Sequence, residues 1–219
     1  MLHKETVTAE LITTANALCS IAELASFRIV GGTAVALQIG HRISIDIDFF
    51  SNEKVSKKNI LHVLSERFKG IEFFVGTDRV SAEINGVRVE LYDDWMIPFK
   101  NEPIITEGLR IASLDDLAGF KLNAITERRE KKDYIDLFFL FNKVGSVSIL
   151  EKLKEYNPYI SYKSFLFALS EVKTAEQNSS PMPNMLMDVN WIDINSSMLQ
   201  AAKNYLSIIE ANQDNPKIK

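Results

Sequence analysis

Residues Ile43 to Phe50 alternate between apolar side chains and a second set, and this stretch restricts the fold more than any other in the chain. A period of two is the signature of a strand with one buried face. Ile43, Ile45, Ile47 and Phe49 are expected on that face, and Ser44, Asp46, Asp48 and Phe50 on the other. Residues two apart on a strand project to the same side, so Asp46 and Asp48 stand next to each other. Carboxylates that close repel unless a cation or a proton lies between them. Mg²⁺, with Mn²⁺ as the alternative, suits the pair because it takes carboxylate oxygens and leaves positions for phosphate and water. In isolation such a pair reads as a solvated polar face. Its context argues otherwise: a short strand, Arg28-Ile29-Val30, runs into Gly31-Gly32-Thr33 just upstream. Glycines after a strand let backbone N–H groups approach a phosphate closely. Gly31, Gly32 and Thr33 are therefore candidates for phosphate contact, and Asp46 and Asp48 for the metal.

A third acid is expected from a neighbouring strand. Val87 to Tyr92 alternates, with Arg88, Glu90 and Tyr92 on one face, and Glu90 is the candidate; its other reading is a cross-strand partner of a lysine or arginine. Asn85-Gly86 joins this strand to Arg79–Asn85 as a hairpin, since Asn-Gly suits the positive φ angles of a type I′ turn. Ile71–Val75 reads as a further strand, and Thr8–Glu23, Thr33–Ile39 and Lys57–Phe68 as helices. Near Ser113 the character changes. Ser113-Leu114-Asp115-Asp116 is a helix cap followed by acids that complement the helix dipole. Helical patterns then follow over Leu114–Arg129, Asp133–Val144, Ser148–Tyr156, Tyr162–Val172 and Ser196–Asn212. Thr174–Asn195, with Pro181 and Pro183, reads as a loop, and Gln213–Lys219 as a frayed tail. The expectation is α+β: residues 1–110 an α/β domain with a mixed sheet, residues 111–219 an all-α domain.

The 219 residues, 46% of them apolar, supply ample core for this. No run of about 18 apolar residues is present to span a membrane, and Met1-Leu2-His3-Lys4-Glu5 has no signal-type apolar run. One cysteine, Cys19, excludes an intrachain disulfide and reads as a core thiol, consistent with a cytoplasmic protein. The net charge of −4 argues against a chain coated in nucleic acid but not against a local basic patch. His3, His41 and His62 lack metal-ligand spacing, so zinc is not expected. Trp95 and Trp191 read as core or domain-junction residues.

Ile29-Val30-Gly31-Gly32-Thr33-Ala34-Val35-Ala36-Leu37, followed by Gly40-His41-Arg42-Ile43-Ser44-Ile45-Asp46-Ile47-Asp48-Phe49-Phe50, resembles the AbiEii/AbiGii nucleotidyltransferase toxins, members of the DNA polymerase β superfamily. Lys121-Leu122-Asn123-Ala124, Arg128 and Lys132-Asp133-Tyr134-Ile135-Asp136-Leu137 resemble the helical motifs of the same family. The resemblance implies a polymerase β-type core with a helical C-terminal domain. It also implies NTP- and Mg²⁺-dependent transfer, a toxin role in a type IV toxin–antitoxin or phage-defence system, and a cognate antitoxin. Site residues implied are Asp46, Asp48 and Glu90 for metal, with Lys121 and Asp136 joining them in catalysis. Nucleotide contacts are expected from Gly31, Gly32, Thr33, Arg42, Ser44, Lys121 and Arg128. Where the superfamily more often has Gly-Ser, this chain has Gly31-Gly32-Thr33, which leaves open whether Thr33 supplies a phosphate-binding hydroxyl. By residue type alone, Glu127 to Asp133 is a charge run of the solvated kind. Asp133 is expected to cap a helix while Asp136 faces inward, with the functional acid of the two left open. The acceptor is expected to be an RNA end such as the 3′ end of tRNA, held through Arg128, Arg129, Lys131 and Lys132. The competing reading is a non-catalytic nucleotide- or partner-binding module of the same fold.

Overall fold

Thr8 opens helix α1 (Ala9–Cys19) by accepting a hydrogen bond from the Leu11 N–H. Strand β1 (Arg28–Val30) follows, then α2 (Gly31–Ile39), β2 (Asp46–Phe50), α3 (Lys57–Arg67), β3 (Phe73–Val75), β4 (Arg79–Ile84), β5 (Val87–Tyr92), β6 (Ile104–Thr106) and β7 (Leu109–Ile111). The computed structural model describes residues 1–214. The chain divides into two compact units, Met1–Leu117 and Ala118–Lys219, so β6 and β7 stay with the first.

The first unit is built on one mixed sheet of order β3-β4-β5-β2-β1-β7-β6. β2 lies parallel to β5 and antiparallel to β1, while β1 runs parallel to β7. Asn85 and Gly86 both take positive φ, 55° and 74°, so the β4–β5 hairpin turns as its sequence dictates. Ile47, Phe49, Val89 and Leu91 are at most 2% exposed and form one face of the central strands. Each such side chain contributes about 1.5–3 kcal/mol by leaving water. The sheet is open: Phe74 and Val75 on β3, and Ile105 on β6, are exposed at its two ends.

The alternation that predicted a strand from Ile43 holds only from Asp46. Upstream, Ser44 is buried and Ile45 is 67% exposed, the reverse of the expected phase. The cause is hydrogen bonding outside the ladder. The Ser44 N–H donates to the Thr6 carbonyl at 2.8 Å, and its hydroxyl bonds Thr33, which turns this residue inward. Strands β6 and β7 lay outside the sequence expectation; they are three residues each, joined through Glu107 and Gly108, both at positive φ. Cys19 is half-buried rather than core, and burial still pushes its thiol up, away from a reactive thiolate.

Ser113 caps α4 (Leu114–Glu127), its hydroxyl accepting from the Asp116 N–H at 3.1 Å. In the second unit, α5 (Lys131–Val144) buries Tyr134, Ile135, Leu137, Leu140 and Phe141. The helix expected over Ser148–Tyr156 is two short ones, α6 (Ser146–Glu151) and α7 (Leu153–Tyr156). α8 (Tyr162–Ser170) is followed by α9 (Val172–Gln177), and α10 (Trp191–Asp214) packs along α5, α6, α8 and α9. The expected loop Thr174–Asn195 is thus shortened at both ends. Gln213 and Asp214 continue α10, and the rest of the expected tail lies outside the described residues. Among the described residues no helix is long and apolar enough to cross a membrane.

Candidate active site

The chain leaves β1 at Val30 and enters α2 with no intervening loop. Val30 is the cap residue, and its side chain makes no capping hydrogen bond to the first turn of α2. Gly31 has φ of +66°, a conformation open to glycine at little cost. It also has a close neighbour: a Cβ there would lie 2.4 Å from Asp48 Oδ2 and would have to push that carboxylate aside. A Cβ on Gly32 would lie 2.1 Å from Arg42 Nη2. The two glycines therefore let α2 begin directly against the Asp48 carboxylate and the Arg42 guanidinium.

Asp46 and Asp48 are half-buried on one face of β2, and Phe50 continues their row. Parallel pairing sets Asp48 beside Glu90 of β5, Asp46 beside Arg88 and Phe50 beside Tyr92. Three acids thus come to one face of adjacent strands, as the alternation of both segments predicted. Glu90 is 15% exposed and firmly held: Tyr92 donates its hydroxyl to Oε2 at 2.9 Å, and Arg79 Nε lies 3.5 Å from Oε1. Burial, then the Glu90 hydrogen bond and charge, with Asp48 adding a smaller push, drive the Tyr92 phenol up to about 12. Phe50 stacks on Trp95 at 3.9 Å, and Tyr92 meets both rings edge-on. Trp95, expected in the core or at a domain junction, closes this end of the acid row.

Among the described residues no three His, Cys, Asp or Glu side chains converge closely enough to hold a metal ion together. Asp46 and Asp48 by themselves match the needs of Mg²⁺, which commonly takes one or two carboxylates and completes its shell with phosphate and water. Gly31 brings no side chain of its own against the Asp48 carboxylate.

Other expected nucleotide contacts lie deeper. Thr33 is 2% exposed; its hydroxyl bonds Ser44 Oγ at 2.8 Å and donates to the Asp46 carbonyl. It ties α2 to β2. Arg42, 5% exposed, donates through Nη1 to the Ile43 carbonyl at 3.1 Å, and His41 is enclosed. Arg79 was missed in the sequence, although a signal existed. Once the Asn85–Gly86 turn sets Ile84 opposite Val87, counting back along the hairpin places Arg79 opposite Tyr92.

Lys121, Arg128 and Asp136 form a second cluster inside the helical unit. The Lys121 ammonium lies 2.7 Å from Asp133 Oδ1 and 2.7 Å from Asp136 Oδ2, both acids being fully buried. Arg128 adds bonds of 2.7 and 3.2 Å to Asp133. Asp133 does not cap α5: that position belongs to Glu130, and Asp133 turns inward to the two cations. Burial works to push Asp133 up, but the charge of Lys121 and the hydrogen bond and charge of Arg128 outweigh it and hold the carboxyl below its ordinary value. The remaining basic residues also have partners. Lys131 donates to the Asn178 and Ser180 carbonyls at 2.7 and 2.8 Å, Lys132 pairs with Glu130 at 3.2 Å, and Arg129 lies over the Phe167 ring.

Residues 17–104 match the family described as nucleotidyl transferase AbiEii toxin of type IV toxin–antitoxin systems, so the resemblance of the β1–α2 and β2 motifs to that family is borne out. An uncharacterised protein of Aquifex aeolicus is 26% identical over 187 residues, covering 82% of this chain and 88% of its own. In fold, the chain is similar to JHP933 of Helicobacter pylori, with TM-score 0.54, 18% identity and 95% and 97% of the two chains covered. It is similar also to MenT4, a nucleotidyltransferase toxin of Mycobacterium tuberculosis, with TM-score 0.51, 11% identity and 90% and 82% covered. The mixed sheet followed by helices is accordingly a nucleotidyltransferase fold.

Proposed function

We propose that this chain, alike in sequence to the AbiEii toxins over residues 17–104, is a cytoplasmic, metal-dependent nucleotidyltransferase acting as the toxin of a type IV toxin–antitoxin or phage-defence pair. The single observation that carries the reading is Gly31 pressed against Asp48, with Asp46 beside it on the same strand face. A phosphate-binding helix start and a pair of metal-binding carboxylates thereby meet at one place.

The α2 N-terminus, through the backbone N–H groups of its glycine turn, receives the phosphates of an NTP. Asp46 and Asp48 hold Mg²⁺ or Mn²⁺, and Glu90 is the third acid of the set. When bound, the metal neutralises charge on the triphosphate and polarises the attacking hydroxyl. The acceptor oxygen forms a bond to the α-phosphorus, the bond from that phosphorus to the bridging oxygen breaks, and pyrophosphate leaves while the hydroxyl proton passes to solvent. The protein contributes by positioning and by fixed charge. Within the helical unit, Asp133 and Asp136 fix the Lys121 ammonium, and Arg128 retains a half-exposed guanidinium.

The proposed acceptor is an RNA end, the 3′ end of tRNA foremost. A helical unit of about half the chain offers more surface than an NTP requires, and Arg128 and Lys132 keep half-exposed charge on it. Each labelled NTP incubated with the chain, Mg²⁺ and total RNA tests both points, with Asp48→Ala as control. Label in RNA from wild type alone is the expected result. NTP consumed without label in RNA moves the acceptor elsewhere, and no NTP binding at all removes the enzyme reading.

A further inference from the structure

Glu90 is held by more contacts than a carboxylate awaiting a cation requires. Its two oxygens go to different neighbours: Oε2 accepts from the Tyr92 hydroxyl at 2.9 Å, and Oε1 faces Arg79 Nε at 3.5 Å. Arg88 Nη2 stands 3.9 Å from Oε2 as a more distant, largely exposed charge. Arg79 and Tyr92 are themselves cross-strand partners, and the Arg79 guanidinium lies 5.8 Å from the Tyr92 ring centroid. Arg79 and Tyr92 thus both engage Glu90, and Arg79 stands over the Tyr92 ring. Glu90 pairs in register with Asp48, yet the three acids do not converge.

We infer that Arg79 and Tyr92 are positioning residues that latch Glu90 away from Asp46 and Asp48, so that the three-carboxylate set assembles only when a cation competes for the Glu90 oxygens. The inference rests on the metal-holding reading of Asp46 and Asp48. The chemistry favours a latch over a scaffold that aims Glu90 at the ion. The phenol hydrogen takes a lone pair of Oε2, the Arg79 guanidinium competes by charge at Oε1, and a hydrogen bond to an ionised acceptor is among the stronger ones. Arg79 also places a positive charge beside any incoming cation, which a scaffold would avoid. The neighbouring aromatic stack of Phe50 and Trp95 meets the Tyr92 ring edge-on and holds the ring in place.

The test is Mn²⁺ binding to the full chain without nucleotide, read by the loss of the free-ion paramagnetic resonance signal. Tyr92→Phe removes one hydrogen bond and no charge, so simple electrostatics leaves affinity unchanged. The latch expects Mn²⁺ to bind about tenfold more tightly, the scale of one hydrogen bond to a charged group. It also expects the gain to vanish in the Glu90→Gln background, because the coupling runs through that carboxylate. Arg79→Met gives the same direction by a second route. Asp48-dependent binding that is equal in wild type and Tyr92→Phe overturns the latch and leaves the metal reading standing. Tighter binding in Tyr92→Phe that persists with Glu90→Gln also overturns it. Binding that is absent from all the variants, or that survives Asp48→Ala, overturns both.

Discussion

Asp46 with Asp48, and Asp133 with Asp136, are both close pairs of aspartates, and the protein treats them in opposite ways. Asp133 and Asp136 are fully buried, and a single lysine stands 2.7 Å from each. Buried charge is tolerable only when paired and hydrogen-bonded, and here the partners are built in. Asp46 and Asp48 are half-buried on a sheet face, one of them against a glycine whose backbone leaves it room. The helical pair answers a demand of folding. The strand pair, more open to solvent, is the one we propose to hold a metal. In sequence both read as acids near helical or strand motifs, and burial is what separates them.

Substitutions can sharpen or break that contrast. The largest expected effect is on stability, from Lys121→Ala: it leaves two buried carboxylates without their shared cation, at a cost of about 3–5 kcal/mol. Urea unfolding followed by circular dichroism measures it, and a loss below about 1 kcal/mol would mean the cluster is hydrated and the contrast mistaken. Asp48→Ala is expected to leave the urea midpoint near wild type while transfer falls at least about a hundredfold, since a bound metal supplies several kcal/mol and about 1.4 kcal/mol is tenfold. A matched loss of stability and transfer would put the strand pair in the same class as the buried one. Gly31→Ala comes next: an alanine at left-handed φ costs about 1–2 kcal/mol, and its Cβ displaces the Asp48 carboxylate. Transfer should fall by roughly tenfold to a hundredfold, the response to a misplaced reacting group. Parallel melting curves and single-turnover rates separate the two consequences.

The smallest effect is the pH response of the helical unit. Asp133 has its carboxyl held below the usual range by Lys121 and Arg128 against the cost of burial. A depressed carboxyl contributes stability that is fully present above its unfolded value, about 3.9, and that is lost as pH falls through the folded one. Urea midpoints are therefore expected to fall on acidification below about pH 4, and less so in Arg128→Met. Equal slopes in both proteins would detach Arg128 from the cluster.

Much of the first unit could be read from the chain because local rules agreed with tertiary ones there. Val87–Tyr92 alternates, Asn85-Gly86 demands its turn, and Gly31-Gly32 follows a strand. Reading stopped where a long-range bond overrode a local period. Ser44 turns inward to Thr6 and Thr33, and Ile45 outward, against an alternation that looked unbroken. Thr33 looked like a phosphate ligand because it adjoins two glycines, and only the fold shows its hydroxyl used between α2 and β2. β6 and β7 are too short for any period to register, being three residues each. Lys121 and Asp136 were singled out by resemblance, but the part Asp133 plays lay hidden in a run of charges, since nothing local distinguishes it, fully buried, from exposed Lys132.

The open sheet has a consequence for handling the protein. Its terminal strands, β3 and β6, present Phe74 at 63%, Val75 at 50% and Ile105 at 67% exposure beside backbone groups with no further strand to meet. Edges of this kind are templates for chain-to-chain pairing. Their brevity limits how many rungs a foreign strand can add, which works against fibrils, while the apolar side chains still favour loose clustering as concentration rises. These two rims of the sheet are therefore one place where self-association is expected to begin as concentration rises.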